Sequence, residues 1–220
     1  MEPKNQKITT VLFDFDMTLV DSSYVITECT NKLADLYGLR RITREELLTV
    51  IGLPLADAWE RQWGRVEPEW LDTYRAKFRE AEQEGMRAFP GTRCVPLALR
   101  DAGIKTGVVS NRNFARLAVE RAGLADLFDI VVGCEDVTKP KPDAEPLLYA
   151  LKQLGEYPES AVYVGDTDID MQTAVNAGVR GIGMTTGNFD HEGLRRAGAT
   201  WICDDLREIP GLIGITEHQE

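Results

Sequence analysis

Short apolar runs punctuate the chain, and helical patterns fill the gaps between them. Residues 8–13 (ITTVLF) are β-branched and apolar and stop at Asp14-Phe15-Asp16. They predict a buried strand whose C-terminal end presents carboxylates. Similar runs at 104–109, 129–132, 161–164, 180–184 and 200–203 predict further strands. Helical spacing covers 113–122, 145–154, 171–177 and 191–197, and glycines stand just after these segments at 123, 155, 178 and 198. Strands alternating with helices predict an α/β fold with a doubly wound parallel sheet. In such sheets ligands bind at the carboxyl ends of the strands.

One stretch breaks the alternation. From 22 to 87 no run reads as a strand, and Leu, Ala, Glu, Arg and Trp recur at helical spacing. Leu33, Leu36 and Tyr37 fit one helix face, and Trp70, Tyr74 and Phe78 fit another. The pattern predicts an inserted α-helical cap domain over 22–87, with 1–21 and 88–220 forming the core. The return junction falls near Phe89-Pro90-Gly91, where Pro and Gly break the pattern.

Composition narrows the function. A length of 220 residues suits one large domain, or one domain with a smaller one inserted. Hydrophobic residues make up 43%, enough to bury a sizeable core. Acidic residues outnumber basic ones, 36 to 25, for a net charge of −11. That excess argues against non-specific binding to nucleic acid polymers or anionic membranes, which needs basic patches. No stretch approaches the ~18 apolar residues of a membrane span. Residues 1–7 lead into a short apolar run that Asp14 interrupts, unlike a signal peptide. Cys29, Cys94, Cys134 and Cys203 form no CxxC pair, which fits reduced thiols and a cytoplasmic protein. With only His191 and His218, histidine-centred chemistry has little to work with.

Four segments carry candidate chemistry. Asp14-Phe15-Asp16-Met17-Thr18-Leu19 directly follows the first predicted strand. Two clustered carboxylates repel when ionised. A divalent cation stabilises one, while the other keeps a raised pKa and serves as an acid. A solvated pair at a strand end is the plain alternative. Gly165-Asp166-Thr167-Asp168-Ile169-Asp170 follows the run at 161–164. An ordinary helix cap or dipole partner explains one of these aspartates, but not three together with Asp14 and Asp16. Five acids at one edge call for a hard cation, and oxygen-only ligands favour Mg²⁺. Val109-Ser110-Asn111-Arg112-Asn113 sets a hydroxyl and backbone N–H groups before a helix, as an anion site or a simple cap. Thr138-Lys139-Pro140-Lys141-Pro142-Asp143 is a proline-stiffened loop that either aims an ammonium at the site or stays solvated.

Asp-x-Asp-x-Thr, a Ser after the second strand, a Lys-Pro loop and Gly-Asp-x-x-x-Asp occur in that order over nearly the whole chain. In this the chain resembles the haloacid dehalogenase superfamily of phosphohydrolases, and the insert resembles that superfamily's α-helical cap. The sequence is most similar to the phosphoglycolate phosphatase-like branch. The resemblance implies a Rossmann-like core, a Mg²⁺ cofactor and a small phosphorylated metabolite as substrate. It implies that Asp14 attacks phosphorus and forms an aspartyl-phosphate, and that Asp16 protonates the leaving alkoxide and then activates water. Thr18 would set the first loop at the substrate site. Ser110 and the Asn111 backbone would bind the phosphoryl oxygens. Mg²⁺ would be held by Asp14, the Asp16 carbonyl and Asp166. Asp170 would ligate directly or through water, or orient the lysine; Asp168 receives no role. Two frames fit the lysine loop. Lys139 matches the local Lys-Pro-x-Pro pattern, whereas Lys141 matches the spacing to the next helix and Gly155, so Lys141 is the expected catalytic lysine despite Ala144 in place of the second proline.

The expected function is Mg²⁺-dependent hydrolysis of a small phosphomonoester. Asp16 argues for phosphate chemistry, because a departing halide needs no proton. A β-phosphoglucomutase-like phosphomutase and a phospho-accepting signalling module are the alternatives; residues 21–28 lack the histidine of the mutases. Gly52-Leu53-Pro54 reads as a loop between cap helices, with Arg61 and Arg65 on the helix that follows. Arg61 is the candidate contact to a substrate carboxylate or sugar. Trp59, Trp63 and Trp70 suit packing. The assembly is expected to be a monomer or homodimer.

Overall fold

The computed structural model describes residues 7–215. Residues 1–6, read above against a signal peptide, and His218 lie outside them. Six strands form one parallel sheet: β1 (Thr10–Phe13), β4 (Lys105–Val109), β5 (Ile130–Val132), β6 (Ala161–Gly165), β7 (Arg180–Met184) and β8 (Trp201–Cys203). A separate antiparallel pair joins β2 (Val20–Asp21) to β3 (Arg87–Ala88). The main sheet runs β5-β4-β1-β6-β7-β8, with every pairing parallel. From β1 the chain steps outward on one side and then returns to the other, so this is the expected doubly wound α/β sheet. Its switch point lies between β1 and β6, where such sheets bind ligands.

The helices between these strands are α6 (Cys94–Asp101), α7 (Ala115–Arg121), α8 (Glu145–Leu154), α9 (Asp168–Ala177) and α10 (His191–Ala197), and α11 (Ile209–Leu212) follows β8. Strand alternation feeds two cores. Val11 and Phe13 of β1 join Leu99, Val108 and Ile182 on one face, while Leu12 joins Leu147, Leu151 and Tyr163 on the other. Burial on both faces explains why these strands read as continuous apolar runs.

Local chemistry moves some boundaries. The helix expected from 171 starts at Asp168, because the Thr167 hydroxyl accepts from the Asp170 N–H and the Asp170 side chain caps in return. The helix expected from 113 starts at Ala115, because Phe114 takes φ 63°. Helix α6 was not expected, since Pro96 interrupts its pattern. The β2–β3 pair is two residues per strand, too short to leave a visible alternation.

Between β2 and β3 lie five helices: α1 (Ser23–Tyr37), α2 (Arg44–Leu48), α3 (Leu55–Trp63), α4 (Pro68–Lys77) and α5 (Arg79–Glu84). Cys29, Leu33, Trp59, Trp70 and Tyr74 form a core within this insert. Its aromatic rings pack edge-on or tilted, Trp59–Trp63 at 5.5 Å, Trp63–Trp70 at 5.7 Å and Trp59–Tyr74 at 5.3 Å between centroids. The three tryptophans therefore pack, as expected. Leu36, placed on the buried face by spacing, is 55% exposed. A second cluster of Ile42, Leu47, Val50, Ile51 and Ala58 receives Met17 from the loop after β1. Met17 holds a left-handed φ of 57°, uncommon for a side chain of this kind.

Candidate active site

The site assembles at the carboxyl ends of β1, β4 and β6. Asp14 follows β1, Ser110 follows β4, and Asp166 follows β6. Asp170 sits in the first turn of α9, turned inward by its capping bonds to Thr167. Lys141 arrives on the loop between β5 and α8, and its side chain is 1% exposed. Its ammonium stands 2.8 Å from Asp14 Oδ1, 2.6 Å from Asp170 Oδ1 and 2.9 Å from the Tyr163 hydroxyl. The Asp170 and Tyr163 contacts are hydrogen bonds, whereas the Asp14 contact is an ion pair that leaves Asp14 Oδ1 without a hydrogen-bond partner among the described residues. Burial alone would lower the Lys141 pKa, but Asp14 and Asp170 outweigh it and hold the ammonium protonated. The Lys139 side chain, by contrast, is 70% exposed, with Asp143 at 3.9 Å from its ammonium.

One ammonium does not balance the acids. Carboxylate oxygens of Asp14, Asp166 and Asp170, all buried, lie within 4.8 Å of one another. Burial drives the Asp14 pKa up to about 7; Lys141 opposes the rise, and Asp170 and Asp16 add to it. Burial likewise lifts Asp166 well above the carboxylate range, with Asp170 and Asp14 adding to it. The Thr18 hydroxyl donates to Asp166 Oδ1 at 2.9 Å, while Asp166 Oδ2 is buried with no hydrogen-bond partner among the described residues. A Cβ on Gly187 would sit 2.0 Å from that same oxygen. An all-oxygen donor set with surplus negative charge and an orphaned oxygen fits a hard divalent cation such as Mg²⁺.

A family model described as haloacid dehalogenase-like hydrolase matches residues 11–184. The chain belongs to that family. The pyrophosphatase PpaX of Bacillus velezensis is 31% identical over 182 residues, covering 82% of this chain and 84% of the relative. A phosphoglycolate phosphatase of Salmonella typhimurium is 28% identical over 246 residues, covering 99% and 98%. Among solved structures, one described as a haloacid dehalogenase-like hydrolase from Bacteroides fragilis superposes with a TM-score of 0.83 at 31% identity, over 92% of this chain and 100% of that one.

In this haloacid dehalogenase-like hydrolase the remaining sequence candidates divide. Ser110 and Asn111 are buried and line a cavity of about 110 Å³ between core and insert. The Asn111 side chain is spent on structure. Its amide donates to the carbonyls of Gly52 and Lys141 and accepts from the Lys141 N–H, so it fastens the lysine loop. Thr18 serves Asp166 rather than the cavity. Asp168 is exposed at the head of α9 and stands apart from the acidic cluster. Arg61 is exposed on α3 and does not line the cavity, and Arg65 lies beyond Gly64, which ends that helix. The arginines that do line it are Arg75, Arg79 and Arg112.

Sequence patterning gives Arg112 and Tyr163 no role in the site. Both have a signal in the sequence. Tyr163 lies in a strand buried on both faces, where a phenol needs a partner. Arg112 is a cation beside a loop that faces five acids. Its guanidinium grips Asp16 through Nε to Oδ2 and Nη2 to Oδ1, both at 2.7 Å, and its Nη1 donates to Glu82 on α5. Burial tends to raise the Asp16 pKa, but Arg112 and the Ser22 hydroxyl outweigh that and hold it below the usual carboxylate range. Asp16 therefore stands as a carboxylate aimed at arginine, not as the protonated member of the pair.

Proposed function

We propose that this chain is a Mg²⁺-dependent phosphatase acting on small phosphomonoesters through a phosphorylated Asp14. The observation that carries the reading is the buried Asp14–Lys141 contact of 2.8 Å at the edge of the acidic cluster. Asp14 and Asp166, with Asp170 behind them, are the side chains to hold the ion. Bound there, Mg²⁺ would offset the repulsion between an anionic carboxylate and an anionic phosphate.

The chain's own residues supply the rest. Asp14 attacks phosphorus, splitting one difficult displacement into two. Ser110 and the Asn111 backbone N–H hold the phosphoryl oxygens, and Lys141 faces the charge that spreads over them in a loose transition state. Asp16, two residues on and at the cavity wall, is gripped as a carboxylate by Arg112 and is the group to take a proton from the attacking water. The insert roofs the cavity and excludes water from the first step. We propose 22–87 as a cap in that sense, with substrate choice set by its residues.

The cavity suggests the kind of substrate. Its volume of about 110 Å³ suits a small metabolite. Arg75 and Arg79 line it from the insert and bring positive charge to it. That favours a small phosphorylated substrate carrying a second anionic group, a property that the anhydride pyrophosphate and the ester phosphoglycolate share. Asp16 at the cavity favours turnover over a long-lived phosphorylated signalling state. Hydrolysis of p-nitrophenyl phosphate with and without Mg²⁺, in the wild type and in Asp14→Asn, tests the reading. Activity that survives the substitution or needs no divalent cation sinks it. A screen of phosphorylated metabolites ranked by kcat/KM then identifies the substrate.

A further inference from the structure

Arg112 connects two parts of the molecule that are far apart in sequence. On one side it makes the bidentate bond to Asp16. On the other it reaches Glu82 of α5, whose second carboxylate oxygen accepts from the Tyr74 hydroxyl at 2.5 Å. The Ser22 hydroxyl closes the near end, donating to Asp16 Oδ1 at 2.5 Å. The side chains of Arg112, Asp16 and Glu82 are 15%, 12% and 7% exposed. One turn earlier on α5, Arg79 lies over the Phe114 ring at 4.4 Å, so the same helix face touches the loop after β4 twice.

Such a network is a poor way to stabilise a fold. Taking three charges out of water costs several kcal/mol per ion, and a well-packed apolar replacement is often as stable. What a bidentate guanidinium does well is fix direction. An ionised carboxylate offers about four acceptor sites. Ser22 and Arg112 Nη2 take two on Oδ1, and Arg112 Nε takes one on Oδ2. Among the described residues nothing takes the last, on Oδ2, and Asp16 lines the cavity.

We infer that Arg112 and Glu82 are positioning residues for water activation: α5 of the insert holds Arg112, and Arg112 holds Asp16 with one Oδ2 site free to take the proton. This rests on the reading of Asp14 and Asp16 given above. In the step concerned, a water proton passes to Asp16 Oδ2 while the water oxygen bonds to phosphorus. The bond from phosphorus to Asp14 breaks, which restores the Asp14 carboxylate and releases inorganic phosphate. Docking of the insert is thereby felt at the second chemical step, through residues that touch neither phosphorus nor the nucleophile.

The test is Glu82→Gln, with Arg112→Lys in the same assay should the first variant fail to fold. Both keep volume or charge and lose the arrangement. Rapid-quench and steady-state kinetics on p-nitrophenyl phosphate separate the steps, because this leaving group departs without a proton. The expected result is a burst of p-nitrophenol approaching one per site, then a steady rate about ten- to hundredfold below wild type. KM should fall in parallel, so that kcat/KM stays within about threefold. A merely structural role lowers kcat and kcat/KM together without a burst, and that outcome overturns the inference. Asp16→Asn separates the two levels. If it bursts while Glu82→Gln and Arg112→Lys do not, only the role of Arg112 and Glu82 falls. If Asp16→Asn shows no burst either, the assignment of Asp16 as base falls with it.

Discussion

Lys141 Nζ lies 2.8 Å from Asp14 Oδ1, with both side chains all but sealed from solvent. A buried ammonium survives there only because Asp14 and Asp170 face it, and those carboxylates depend on it in return. Lys141→Met should cost about 10²–10³ in kcat, the usual loss for one preorganised charge-stabilising group. It should also destabilise the metal-free protein by about 3–5 kcal/mol, because it leaves buried carboxylates without their cation. Lys139→Met should change neither by more than about twofold, as expected of an exposed lysine. Steady-state kinetics and thermal denaturation of the two variants check this, and an equal loss at 139 would sink the choice of lysine.

The acidic cluster makes stability depend on pH in a stated direction. Burial above all raises Asp14 from its ordinary 3.8 to about 7, against the opposing pull of Lys141, so the folded metal-free protein holds that proton more tightly than the unfolded chain does. Asp166 is shifted in the same direction by burial. Stability from these groups is present below the ordinary carboxylate range and is lost as pH rises through the folded values. The Tm in EDTA should therefore fall between about pH 5 and about pH 8. Mg²⁺ binds the ionised form, so the Tm gain on adding it should be larger at the upper pH. A gain that is equal at both, or larger in acid, contradicts the cluster as the ion's site.

Gly187 passes so close to Asp166 that a methyl group would sit 2.0 Å from Oδ2. Gly187→Ala must push the carboxylate aside. Its Tm in EDTA should stay near wild type or drop modestly, while the Mg²⁺ concentration for half-maximal activity rises about tenfold or more, as for the loss of a well-placed supporting group. An unchanged Mg²⁺ dependence would show that Asp166 Oδ2 is not needed by the ion.

The sheet and most of its helices were legible, because period-two and period-3.6 patterns survive wherever an element is buried on a regular face. The ordered motifs at strand ends also announced the acids and Lys141. What sequence could not supply was side-chain direction across long separations. Asp16 and Arg112 are 96 residues apart, and nothing local reveals that the one carboxylate is gripped by the other's guanidinium. Proximity to Gly52-Leu53-Pro54 is what points to Arg61 in the sequence. Its exposure on α3, and the presence of Arg75 and Arg79 at the cavity instead, depend on how the insert helices pack.

That difference is measurable. Arg79→Ala should raise KM for a substrate with a second anionic group about tenfold, in line with losing a hydrogen bond to a charged group. Its effect on p-nitrophenyl phosphate, which has no such group, should be smaller. Arg61→Ala should leave both KM values within about twofold, as for most exposed positions. A larger effect at 61 than at 79 would return Arg61 to the site.

The most direct measurement is of Asp14 itself. Protein mixed with p-nitrophenyl phosphate and Mg²⁺, quenched in acid during turnover and digested, can be read by mass spectrometry. The expected result is one added phosphoryl group on the peptide carrying Asp14, with no label and no turnover in Asp14→Asn. Turnover without a phosphorylated Asp14, or undiminished activity in Asp14→Asn, would contradict covalent catalysis by this residue.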